Sequence, residues 1–172
     1  MIKYLNSSIE NNVVKIMAIE KVREYFKQFG KEKEILEFDV SSATVELAAK
    51  ALNCEGKQIA KSMSFLVNDK PILVVTAGDA RISNPKFKEE FKVKAKMISF
   101  EMVEECIGHA VGGVCPFAVN ENVDVYLDLS LKRFVTVYPA AGSSNSAIEL
   151  TIEELEKYSN SIKWVDVCKD WE

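Results

Sequence analysis

The chain carries one histidine, His109, and four cysteines, at positions 54, 106, 115 and 168, so chemistry that needs an imidazole must pass through a single place. Cys106, His109 and Cys115 have zinc-ligand chemistry, but their C-x2-H-x5-C spacing is no recognised zinc framework, and no metal site is expected there. Cys106 beside Ile107 and Cys115 beside Val114 read as buried thiols, and His109 as the end of a helix whose dipole favours the cationic ring. Redox chemistry at these thiols is disfavoured because the chain has no C-x-x-C pair. Walker-type, G-x-G-x-x-G, G-x-S-x-G and H-E-x-x-H motifs are also absent, which removes support for nucleotide hydrolysis and the common hydrolase templates.

What remains is a lysine and flexible backbone. Lys61 stands at the entry of an expected strand, where a lysine ordinarily covers apolar surface with its stem. Two interruptions of the apolar pattern, 110–119 with Gly112, Gly113 and Pro116, and 140–146 with Gly142, Ser143, Ser144 and Asn145, can supply backbone N–H donors. One cation with such donors suits a developing oxyanion. Lys86, Lys88, Lys92, Lys94 and Lys96 form the densest basic stretch, read first as a solvated face and second as a phosphate-binding patch.

The elements that must hold these residues follow from periodicity. Val22, Tyr25, Phe26 and Phe29 predict a helix over 18–29, stopped by Gly30, whereas 1–16 shows no sustained period and is read as an extension that need not be native. Met17 is then a candidate start, with 17–172 as one domain. A strand is expected over 34–40, and a helix capped by Ser41 and Ser42 with Val45, Ala48, Ala49 and Leu52 inward. The run 62–67, a turn at 68–70 and the branched run 72–76 predict a hairpin with one fully buried arm. Asn84-Pro85 predicts a helix to about Phe91, and Met97–Ser99 a short strand. Ser99 is expected to cap a helix that turns Phe100, Val103 and Ile107 inward. Strands over 123–129 and 134–138, a helix opened by the Thr151/Glu154 capping box and a strand over 164–167 complete the set. Without regular βαβ alternation, the expected class is α+β with a mixed sheet.

Composition sets the outer bounds. With 172 residues, 48% of them hydrophobic, one domain with its own core is expected. The net charge of −4 excludes a general positive field, so a nucleic-acid partner must meet a local patch. No run approaches the ~18 apolar residues of a membrane span, and no secretion signal opens the chain; cytoplasmic location and reduced thiols are expected.

Gln58-Ile59-Ala60-Lys61-Ser62, Gly78-Asp79 before a short helix, Gly108 to Phe117, and Ala141-Gly142-Ser143-Ser144 before Glu149-Leu150 together resemble the YbaK/prolyl-tRNA editing family of aminoacyl-tRNA deacylases, over roughly 19–158. The resemblance implies a mixed, partly barrel-like sheet flanked by helices. It also implies a pocket for the mischarged aminoacyl-adenosine end of tRNA, built by Lys61 and the G-x-x-x-P loop Gly112 to Pro116. Lys61, Gly112 and Gly113 are the implied catalytic positions; Ser62, Asp79, His109, Pro116, Gly142, Ser143, Ser144 and Asn145 are implied around the substrate. No cofactor and no membrane are implied; the partners are the tRNA acceptor end and prolyl-tRNA synthetase. Some relatives place a histidine in the later glycine loop, where this chain has serines and Asn145, which either orient the ribose or amino group or bond to their own backbone. Lys61-Ser62 lies closer to the lysine-threonine pattern of the cysteine-clearing branch than to the lysine-asparagine pattern of the alanine-clearing branch. A free-standing deacylase of Cys- or Ala-charged proline tRNA is therefore the leading expectation. A non-catalytic module that binds aminoacyl-tRNA or an amino acid beside a synthetase is the alternative.

Overall fold

The computed structural model describes residues 2–171. In chain order the elements are α1 (Ile2–Lys27), β1 (Leu36–Glu37), α2 (Val45–Leu52), β2 (Ile59–Val67), β3 (Lys70–Ala77), β4 (Arg81–Ile82), α3 (Asn84–Phe91) and α4 (Val103–Ile107). They continue with β5 (Asp124–Asp128), β6 (Thr136–Pro139), β7 (Ser146–Ala147), β8 (Leu150–Thr151), α5 (Ile152–Tyr158), β9 (Lys163–Val165) and β10 (Cys168–Lys169). Six strands form one curled, half-barrel sheet in the order β8-β6-β2-β3-β5-β9, and β1-β7 and β4-β10 form two small ribbons. β2-β3 and β6-β8 are antiparallel, while β2-β6, β3-β5 and β5-β9 are parallel. The class is mixed α+β, as the sequence pattern implies.

The hairpin β2-β3 is the middle of this sheet. β3 is buried from Pro71 to Ala77 because strands flank it on both sides and helices or loops cover both faces, which is why its sequence is a continuous branched run rather than an alternation. Leu73, Val74 and Val75 are fully buried in a core cluster that extends from Ile19 on α1 to Cys168 on β10. β2 is not buried throughout, and its consecutive partly exposed residues Lys61, Ser62 and Met63 leave one stretch of sheet uncovered.

α1 docks through Ile19, Val22 and Phe26, with Phe26 4.7 Å from Phe117 between ring centroids and the Tyr25 hydroxyl donating to the Tyr158 carbonyl at 2.6 Å. The helix begins at Ile2, so the helix expected over 18–29 starts earlier than its periodicity predicts; Met1 lies outside the described residues. Ile9, Val13 and Ile16, on the part of α1 that precedes this docked half, are exposed.

Other boundaries also move. Of the expected 34–40 strand, Leu36–Glu37 forms strand with the two residues of β7, and Phe38 N–H donates beyond it to the Asn145 carbonyl at 2.8 Å. α2 is capped by Thr44, whose hydroxyl accepts from Leu47 N–H at 3.2 Å, rather than by Ser41 or Ser42. Met97 makes an isolated bridge to Phe65 instead of a strand. Ser99 makes no side-chain cap: 100–102 is a 3-10 turn, α4 starts only at Val103, and Phe100 turns outward instead of inward. The Thr151/Glu154 capping box forms as expected, with reciprocal bonds of 3.0 and 3.1 Å.

Candidate functional site

The uncovered stretch of β2 forms one wall of a cavity of about 590 Å3. The start of α2, the segment from Met97 to Val103 and the turn at Gly112 form its other sides. Most of the lining is apolar, with Val45, Met63, Met97, Phe100 and Tyr138 among its larger side chains. A few convergent polar groups in such a concave site give a ligand its orientation.

Lys61 is the charged member of this lining. It faces Thr76 across the hairpin, and its ammonium reaches the β3-β4 turn, where it donates to the Ala80 carbonyl at 2.5 Å and the Gly78 carbonyl at 3.3 Å. Burial pushes its pKa below the usual lysine range, with the Asp79 carboxylate acting in the opposite direction. Two of the three ammonium donors are thereby held by backbone, which fixes the charge beside the cavity and leaves one donor for a ligand. Ser62 and Ser42 also line the cavity, and the hydroxyl oxygen of each is buried without a hydrogen-bond partner in the protein. Unpaired buried hydroxyls are costly unless something else pairs with them.

Gly112 takes φ +93°, a left-handed conformation that glycine reaches without Cβ strain, and lines the cavity. Gly113 lies behind it. A Cβ there would stand 2.7 Å from the Gly142 carbonyl oxygen, and its N–H donates to the Ala110 carbonyl at 3.0 Å, so it holds the turn rather than offering a donor to the cavity. Gly142, at φ +94°, is pressed beneath α1, where a Cβ would meet Val22 at 2.7 Å and the Ala18 carbonyl at 2.8 Å. The two glycine loops, about thirty residues apart in sequence, are thus back to back under one helix.

The remaining expected positions do not line the main cavity. Asp79 makes a two-pronged ion pair with Arg133, at 3.0 and 2.6 Å. Pro116 lines a separate depression of about 170 Å3 with Tyr25 and Asn160. Ser143 hydroxyl lies 2.7 Å from the Ser146 hydroxyl and 3.0 Å from Asn145 Oδ1; Asn145 Nδ2 donates to the Phe38 carbonyl, and the Ser144 carbonyl accepts from Ser42 N–H at 2.7 Å. These are bonds that shape the loop.

His109 is 1% exposed, with Nε2 2.6 Å from the Phe117 carbonyl and Nδ1 buried without a partner. Burial pushes its pKa down to about 4, so the expectation of a cationic ring at a helix end is corrected: the ring is neutral at pH 7, carries its proton on Nε2 and clamps the turn 109–117. Cys115, 3.5 Å from the same ring nitrogen, is fully buried and its thiol is pushed up to about 12. All four cysteines are free, and among the described residues no three His, Cys, Asp or Glu side chains group to hold a metal.

Sequence reasoning missed Ser42, Phe100, Tyr138 and Ser146 as lining residues. Ser42 reads in the sequence as a helix cap and Ser146 as the end of the 140–146 interruption, and which face they present depends on the pairing of β1 with β7. Tyr138 was assigned only to a strand, and Phe100 to the core.

The aminoacyl-tRNA editing domain model matches residues 39–158. An uncharacterized protein of Bacillus subtilis, YwhH, is 52% identical over 157 residues, 91% of this chain and all of that protein. A proline--tRNA ligase of Bacillus cereus is 28% identical over 116 residues, 66% of this chain but only 20% of the ligase. The solved structure of a proposed trans-editing enzyme for prolyl tRNA synthetase superposes with a TM-score of 0.80 at 25% identity, covering 88% of this chain and 97% of that one. The matched span includes β2 with Lys61, both glycine loops and every wall of the cavity, and the chain belongs to the aminoacyl-tRNA editing domain family.

Proposed function

We propose that the protein is a free-standing trans-editing deacylase that hydrolyses the ester of a mischarged tRNA, with cysteine- or alanine-charged proline tRNA as substrate. The observation that carries this reading is that Lys61 and Gly112 border one cavity whose volume suits an aminoacyl-ribose and whose lining accepts a small apolar side chain. Similarity to part of a proline--tRNA ligase, and to a structure described as a trans-editing enzyme, supports proline tRNA as the carrier. No nucleophile needs to be supplied. Water attacks the ester carbonyl carbon, the carbon–oxygen bond to the ribose breaks, and the leaving ribose oxygen takes a proton; the vicinal hydroxyl of the substrate, held in place, can relay it. Gly112 N–H is the donor to the developing oxyanion, and the fixed Lys61 charge stabilises it beside a mostly apolar lining.

Lys61→Ala is expected to lower deacylation of Cys- or Ala-charged proline tRNA by roughly 100-fold or more while the circular dichroism spectrum stays unchanged. Wild-type turnover by that variant ends the proposal. A second reading, binding without turnover, is favoured by the tethering of Lys61 to two carbonyls and by a lining that, among the described residues, contains no Asp, Glu or His. Incubating the wild-type protein with Cys-, Ala- and Pro-charged proline tRNA separates the two: loss of ester from one or both mischarged species supports the deacylase, and protection of all three supports the binding module.

A further inference from the structure

The segment from Lys92 to Phe100 has a composition unlike the rest of this acidic molecule. It contains three lysines and no carboxylate, and it runs directly into the cavity wall at Met97. Lys92, Lys94 and Lys96 are exposed, whereas Val93 and Ala95 between them, and Phe91 before them, are half-buried. Lys92 is the left-handed C-cap of α3, at φ +63°, and Lys94 and Lys96 follow it on the segment that leads to the Met97 bridge, so the three lysines succeed one another along the chain as a solvent-facing row. Lys94 and Lys96 make no ion pair or side-chain hydrogen bond among the described residues; Lys92 donates to the Glu89 carbonyl. The chain is anchored by Leu66 N–H to the Lys96 carbonyl at 2.9 Å and Ile98 N–H to the Ser64 carbonyl at 3.1 Å, which fixes the Lys96 end of the row against β2.

Beyond the row the rim turns apolar. Met97 is 58% exposed and Phe100 72% exposed, and both border the cavity. A phenyl ring that open, held by a 3-10 turn, loses hydrophobic stabilisation unless a ligand covers it. A base has the flat apolar face to do so, and a single strand places its phosphates alongside.

We propose that Lys92, Lys94 and Lys96 form a track for the phosphates of the single-stranded 3′ end of tRNA, and that Phe100 is the platform on which its terminal base stacks. The inference rests on the reading that the cavity receives the charged 3′ end, and it adds which residues deliver that end. The track follows the chain, and the base lies over Phe100 while the ester enters beneath it toward Lys61 and Gly112.

The test uses uncharged proline tRNA, so it reads binding whether or not the protein hydrolyses esters. With the terminal adenine replaced by 2-aminopurine, wild-type protein is expected to change the fluorescence of the probe through stacking, and Phe100→Ala to lose that change and weaken binding by about tenfold. Replacing the three lysines by glutamine is expected to reduce the slope of log affinity against log salt by about 2, because each lost single-strand phosphate contact removes about 0.7. Both sets of side chains are exposed, and unchanged melting temperatures certify the folds. An unaltered probe signal with Phe100→Ala, or an unaltered salt slope in the lysine variant, overturns the proposal. Failure of the deacylase reading gives a different result, intact esters with wild-type protein.

Discussion

His109 illustrates how burial changes what a residue can do. The neutral imidazole is tolerated in the core because Nε2–H has the Phe117 carbonyl, whereas protonation would place a charge beside an unpartnered Nδ1 position and an apolar shell. Its folded pKa, about 4, lies below the ordinary 6.5, so between those values the unfolded chain binds the proton and the folded chain does not. Stability therefore rises with pH through this window and is lost as pH falls from 6.5 toward 4, by about 3 kcal/mol in all. Urea denaturation of the wild-type protein at pH 7 and 4.5 is expected to show this loss. His109→Gln is expected to remove that proton's part of the pH dependence, and an equally steep dependence in the variant would show that His109 is not its source. The sequence places His109 at a helix end and, through the family resemblance, around the substrate, and only the packing of 109–117 reveals a structural clamp.

At the scale of elements, the two glycine loops divide their work. Gly112 is strained for other residues by its φ of +93°, but a Cβ there has only the methyl of Ala43 at 3.3 Å and Ser144 Cβ at 3.4 Å to meet. Gly113 faces backbone at 2.7 to 2.8 Å, which cannot move unless the 142–143 loop moves with it. Gly112→Ala is expected to cost about 1 to 3 kcal/mol through backbone strain, and Gly113→Ala more, with the loops forced apart. Thermal melts of both variants check the order, and equal or reversed costs would show that the contact yields easily. Local signals were legible: the Thr151/Glu154 box reads from two residues three apart, and the buried run of β3 from its branched composition. The meeting of Gly113 with Gly142 was not, because it depends on α1 covering both loops. Nor was the outward turn of Phe100, since Ser99 has the residue type of a cap without the bond.

The cavity belongs to the whole molecule. Its walls come from α2, β2, the 97–103 segment, the Gly112 turn and β6, elements spread over some hundred residues and joined through one core cluster. Among the described residues no helix is long and apolar enough to cross a membrane. A ligand that seats in such a cavity binds only the folded chain, and its binding energy is added to global stability. A non-hydrolysable amide analogue of cysteinyl- or alanyl-adenosine, at about 100 times its dissociation constant, is expected to stabilise the protein by about 2.7 kcal/mol. For a chain of this length that raises the melting temperature by roughly 5 to 11 °C. The effect should shrink in Lys61→Ala if the ammonium's third donor contacts the ligand, because the variant keeps the apolar walls and loses that bond. An analogue shown by calorimetry to bind at saturation, yet leaving both melting temperatures unchanged, would mean that it binds folded and unfolded chain alike and does not use the assembled cavity.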